Sequence, residues 1–99
     1  MSAKKIPDGA GSLTREFLVV NKLGIHARPA SLFVKIANRY RCEIFVEKDG
    51  EKVNGKRIMG LLMLAAGPGS KLKVQAQGHD ALQALSELES LIKQKFNEE

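Results

Sequence analysis

The stretch Gly24-Ile25-His26-Ala27-Arg28-Pro29-Ala30 sets an imidazole and a guanidinium two residues apart. It follows the apolar run Phe17-Leu18-Val19-Val20 and precedes a segment with helical spacing, so it lies where a strand hands over to a helix. That register makes His26 the helix N-cap and puts Pro29 in the first turn, where a missing N–H costs nothing. A helix N-terminus carries unpaired N–H groups and partial positive charge, and it binds anions for both reasons. The chemistry implied is nucleophilic attack by His26 on an anionic group held by backbone N–H groups and by Arg28. The rest of the chain then reads as a scaffold for this strand-to-helix joint.

Plainer readings stand beside that one. A histidine at this position can merely cap the helix. His26, His79 and Cys42 are the candidate soft metal ligands, and no pair of them has ligand spacing, so neither a metal nor another cofactor is expected. Residue types alone leave a Cys–His nucleophile pair open, whereas the bland reading makes Cys42 a small packing residue beside a strand. With one cysteine there is no internal disulfide.

The elements that must position the joint follow from length and pattern. A chain of 99 residues, 43% hydrophobic, suits one small domain with a modest core. Residues 1–12 have no apolar period and read as a flexible tail ahead of a domain over 13–99. A first strand is expected over 13–21, with Phe17 and Val19 on one face and Leu18 and Val20 on the other. A helix should run from 27 to about 40, burying Ala30, Phe33, Val34, Ala37 and Tyr40 and exposing Ser31, Lys35, Asn38 and Arg39. A second strand, 43–48, turns at Asp49-Gly50 into a short third strand, 51–54. The nearly all-apolar segment 58–66 fits a buried strand or a short helix by period alone. Its Leu, Met and Ala content favours helix. Lys71 to Gln77 alternates strictly. A last helix over 81–96, with Asp80 and Gln83 resembling a capping box, buries Leu85, Leu88 and Ile92 with support from Leu82 and Leu91. The order β-α-β-β-α-β-α, with one explicit hairpin, implies a mainly antiparallel sheet with helices on one face.

Charge and composition narrow the partners. The net charge is +5, but the cations are scattered and aromatics make up only 5% of residues, which argues against a stacking nucleic-acid surface. A basic nucleic-acid-binding module is therefore the weaker rival reading. No long apolar span or signal peptide is evident, so no membrane insertion is expected and the default is a soluble cytoplasmic protein.

The segment Leu23-Gly24-Ile25-His26-Ala27-Arg28-Pro29-Ala30-Ser31 resembles the active-site signature of the histidine-containing phosphocarrier (HPr) family of the phosphoenolpyruvate-dependent phosphotransferase system. Val53-Asn54-Gly55-Lys56-Arg57-Ile58-Met59-Gly60-Leu61 resembles that family's second signature region, and the resemblance runs over residues 13–96. It implies an α+β open-faced sandwich, a four-stranded antiparallel sheet with three helices on one face. It implies that His26 accepts a phosphoryl group on Nδ1 from enzyme I, that Arg28 and the amides of Ala27 and Arg28 hold the phosphate, and that EIIA-type proteins are acceptors. Such a protein turns over only with its partners and works as a monomer. The physics suits the role, because a helix N-terminus favours the neutral, nucleophilic ring and phosphoryl transfer asks chiefly for positioning and charge stabilisation.

The resemblance also assigns partner docking to the exposed face of the short second helix. Met59, Leu62 and Met63 are the candidates there, against the plain reading of core packing that suits Leu61 and Leu64. Lys35 is a further docking candidate, or else a solvated helix side chain. Many relatives carry a kinase-regulated serine where this chain has Arg57, so that switch is expected to be absent here. A regulatory paralogue, nitrogen-type or other, that feeds no sugar permease is the alternative within the family.

Overall fold

The computed structural model describes residues 12–98. Strand β1 (Ser12–Leu18), helix α1 (Ala27–Ala37), strands β2 (Glu43–Lys48) and β3 (Glu51–Asn54), helix α2 (Ile58–Met63), strand β4 (Lys71–Gln77) and helix α3 (Ala81–Lys93) follow in that order. A short turn, Lys95–Asn97, comes after α3. Apart from Ser12, which opens β1, the expected tail over 1–12 lies outside the described residues.

The four strands form one sheet in the order β1-β4-β2-β3, with every neighbouring pair antiparallel. Asp49 and Gly50, with φ of 51° and 84°, make the two-residue turn between β2 and β3. Strict alternation in β4 buries Leu72, Val74 and Ala76, which meet Ile44 and Val46 of β2 and Phe17 of β1 beneath the helices. Phe33, Ala30 and Ala37 of α1, Leu61 of α2 and Leu85, Leu88 and Ile92 of α3 close that core from above. Full burial of each such large side chain is worth roughly 1.5–3 kcal/mol. Among the described residues no helix covers the other face of the sheet. There Lys73 lies opposite both Glu16 and Glu47, and Lys52 opposite Glu47, so opposite charges sit directly across strands. The architecture is an α+β open-faced sandwich with three helices on one face.

Element types agree with the pattern reading, and the differences fall at ends. β1 stops at Leu18, not at residue 21, because its last ladder partner is Lys71. Beyond it Val19 bonds to the turn before β4. As expected, Phe17 and Val19 are buried and Leu18 and Val20 exposed. α1 ends at Ala37, short of residue 40, because Asn38 turns its side chain back onto the Val34 carbonyl at 3.1 Å. Arg39 and Tyr40 then make the tighter bonds, to Ile36 and Ala37. α3 ends at Lys93 and not at 96, since the chain changes hand at Lys95. Leu82 is 55% exposed and takes no part in the core. At about 100° per residue it points about 120° away from Leu88, and Ala81 and Ala84 fill the interior instead. Asp80 occupies the N-cap position of α3 but makes no cap bond. Its carboxylate instead accepts the N–H groups of Arg41 and Cys42, both at 2.9 Å, and so ties the start of α3 to the approach to β2.

Candidate functional site

The chain travels from β1 to α1 through a loop held on two sides. Val19 N–H donates to the Ser70 carbonyl and Gly69 N–H to the Val19 carbonyl, both at 2.8 Å. Ile25 N–H donates to the Ala66 carbonyl at 2.8 Å, so the approach to α1 is pinned to the exit of α2. Gly24 has φ +72°, and a Cβ there would stand 2.5 Å from the Ala66 oxygen. Only glycine serves at such a place. Asn21 is fully buried, and its Nδ2 donates to the Gly24 carbonyl at 2.7 Å.

This loop delivers His26 to the N-cap of α1 in an extended conformation, φ −98° and ψ −164°. Its carbonyl accepts Ala30 N–H at 3.0 Å, and its N–H donates to Gly24 at 3.1 Å. The imidazole makes no cap hydrogen bond, so the ring is not engaged in closing the helix. The N–H groups of Ala27 and Arg28 have no main-chain acceptor among the described residues. Two donors therefore point past the helix end beside the ring, and the first turn holds no acidic residue to compete for them. Arg28 is exposed and forms no ion pair among the described residues. His26 and Arg28 line one shallow cavity of about 330 Å³ with Leu23, Pro29, Phe96 and Glu98.

Glu98 was not foreseen. Its Oε1 accepts Lys22 N–H at 2.6 Å, and its Oε2 accepts Leu23 N–H at 3.2 Å and Asn21 Nδ2 at 3.3 Å. Desolvation alone would raise the carboxyl pKa. The Lys22 N–H, the Asn21 amide, the Leu23 N–H and the charge of His26 outweigh it, and the group lies below the usual carboxylate range. No sequence signal marks this contact, because its partners are more than seventy residues apart.

The expected docking residues divide. Met59 and Met63 are 68% and 65% exposed on α2, Leu62 is half-buried, and Leu61 and Leu64 are in the core. The Ile25–Ala66 bond sets this helix beside the His26 loop. Lys35 is exposed but sits in the last turn of α1, nine residues beyond the N-cap and so about 14 Å along the axis. It does not line the His26 cavity. Arg57 is the exposed N-cap residue of α2, and its side chain makes no cap bond.

Cys42 is buried, its thiol pushed up to about 11 first by burial and then by the Asp80 hydrogen bond, and it lies at the start of β2, away from the His26 cavity. His79 is exposed and lines a separate shallow surface with Tyr40 and Leu82. Among the described residues no cluster of three or more His, Cys, Asp or Glu side chains could hold a metal ion, and no helix is long and apolar enough to cross a membrane.

An open-faced α+β sandwich that offers a histidine at a helix N-terminus, on a shallow and half-open surface, is a carrier architecture. Such a site leaves the ring open to a docking protein. Comparison with known proteins agrees. The family model for the PTS HPr component phosphorylation site matches residues 13–94. The chain is 50% identical to the HPr-like protein Crh of Halalkalibacterium halodurans over 74 residues, 75% of this chain and 88% of that protein. It is 46% identical to the phosphocarrier protein HPr of Treponema pallidum over 81 residues, 82% of this chain and 92% of that one. The crystal structure of HPr-C-His from Thermoanaerobacter tengcongensis superposes with a TM-score of 0.85 at 44% identity, covering 88% of this chain and 98% of that chain. The chain belongs to the HPr family of phosphocarriers of the phosphotransferase system.

Proposed function

We propose that this phosphocarrier accepts a phosphoryl group from phospho-enzyme I on Nδ1 of His26 and passes it to an EIIA-type acceptor, working as a monomer in the cytoplasm. The Nδ1 lone pair forms the new N–P bond as the donor's bond to phosphorus breaks, and transfer to the acceptor runs the same exchange forward. The free N–H groups of Ala27 and Arg28 and the Arg28 guanidinium take the phosphoryl oxygens. The observation that carries this reading is the His26 ring, at a helix N-cap yet making no cap bond, next to two unused amide donors. Met59 and Met63, exposed and unbranched, suit a surface that must fit more than one partner. His26→Ala should abolish phosphorylation by enzyme I and phosphoenolpyruvate with the fold intact. The wild-type product should be labile in acid and stable in base, as a phosphoramidate is. Label retained by His26→Ala, or label that survives acid like a phosphoserine, would overturn the assignment.

The likeness to Crh supports a second reading, a regulatory relative that feeds no sugar permease. A phosphorylated form that donates to no EIIA-type protein would favour it. In either case Arg57 offers no hydroxyl, so a serine-directed switch cannot act at that position.

A further inference from the structure

Phe96 and Glu98 reach the His26 cavity through an unusual turn. Lys95, Phe96 and Asn97 have φ of 56°, 56° and 57°, so three successive non-glycine residues are left-handed. That conformation is unfavourable at each residue and persists only where the surroundings impose it. Two features impose it here. The Phe96 ring is buried, and the Glu98 carboxylate takes the Lys22 and Leu23 N–H groups and the Asn21 amide. The segment after α3 is thus a strained strap, fastened by one side chain to the loop that carries His26.

The fastening is electrostatic and lies beside the reacting group. Among the residues lining the cavity, Arg28 is the fixed cation and Glu98 the fixed anion, and their charges cancel. A phosphoryl group on His26 adds a charge of about −1.5 to −2, which leaves the cavity strongly negative. The repulsion falls on Glu98, and the left-handed turn favours release as well. We propose that Glu98 is a latch that phosphorylation opens: closed on the Lys22 and Leu23 amides while His26 is free, and released when His26 carries the phosphoryl group. The opened strap uncovers two adjacent amides and the Phe96 edge, so a partner can tell a charged carrier from an empty one.

The proposal rests on His26 as the acceptor, and the test separates the two. The chain is phosphorylated without any partner protein by phosphoramidate, an imidazole N–P bond forming as the reagent's N–P bond breaks and ammonia leaves. Intact mass and phosphorus NMR report uptake, and amide hydrogen exchange by proton–nitrogen NMR reports the latch. On phosphorylation the Lys22 and Leu23 amides should lose protection by about tenfold or more, as loss of a charged hydrogen bond requires. Ala30 and the core strands should keep theirs. Glu98→Gln removes the charge and keeps an acceptor, so its Lys22 and Leu23 amides should exchange at one rate with and without phosphate. Unchanged protection in wild-type protein shown by fragment mass to carry the phosphoryl group on His26 overturns the latch and leaves the acceptor assignment standing. A Glu98→Gln protein that still opens on phosphorylation also overturns it, and absence of uptake at His26 overturns both.

Discussion

Gly24→Ala is the most exacting test of how the site is built. Two costs arise at this residue, and the structure separates them. The first is conformational: φ of +72° places an alanine in the left-handed region, at about 1–2 kcal/mol. The second is steric. The new Cβ would meet the Ala66 oxygen at 2.5 Å and the Gly67 Cα at 2.8 Å, both main-chain atoms that no rotamer change can move. Relief requires the α2 exit to back away, which forfeits the Ile25–Ala66 hydrogen bond, about 0.5–1.5 kcal/mol, and adds overpacking of about 1–3 kcal/mol. Gly69 is the control, because its φ is +87° yet a methyl group there would have nothing within 4 Å. Gly69→Ala should therefore show the conformational cost alone. Urea unfolding followed by circular dichroism should place Gly24→Ala below Gly69→Ala by about 1.5–4.5 kcal/mol, and in Tm by at least about 6–12 °C for a domain of this size. Phosphoryl uptake should also slow in Gly24→Ala, by up to about 100-fold if His26 shifts by 1 Å. Equal stabilities for the two variants, within about 0.5 kcal/mol, would refute the claim that contact with residues 66 and 67 holds the His26 loop.

Other perturbations separate docking, charge and scaffold. Met59→Glu should weaken enzyme I binding by at least ~1–3 kcal/mol in a titration, while its 68% exposure keeps Tm close to wild type. Arg57→Glu should slow phosphoryl transfer from enzyme I at low salt, with the effect shrinking as salt rises because an exposed charge acts through encounter. An HPr kinase given ATP should leave residue 57 of the wild-type protein unmodified. The Asp80 carboxyl lies below its ordinary pKa chiefly because it accepts the Arg41 N–H, and then through Cys42, so these bonds stabilise the fold above about pH 4 and lose that effect as pH falls through the lowered value. Asp80→Asn should accordingly melt below wild type at about pH 7 and together with it at about pH 2.

What could be read from the sequence was whatever is written locally. Period-two alternation in β4, the Asp49-Gly50 turn and the helical spacing of α1 each lie within a few residues, and the structure agrees with all three. The His26 joint was legible for the same reason: strand end, N-cap and first-turn proline are neighbours. The rest depends on partners far apart in the chain. Nothing beside Glu98 announces Lys22 and Leu23, and nothing beside Asp80 announces that Arg41 and Cys42 will take the carboxylate a capping box would have used. Lys35 shows the same dependence on three-dimensional placement. The rise of the helix sets it at the far end of α1, outside the His26 cavity, where it is an exposed cation open to a partner.

These differences divide the site into parts that hold and parts that act. Gly24, Asn21 and Ile25 are bound to fixed main-chain atoms, and altering them moves the backbone. The His26 ring and the Arg28 guanidinium make no cap bond and no ion pair among the described residues, so the fold asks nothing of their side chains. That freedom is what a carrier requires. A group that must be attacked, loaded and unloaded by successive partners cannot also hold a loop together, since each transfer would then strain the scaffold. The one charged side chain that does both is Glu98, which fastens the His26 loop while lining the cavity where the phosphoryl group would arrive. On the proposed reading it is at Glu98, and not at His26, that loading the carrier would be felt by the fold.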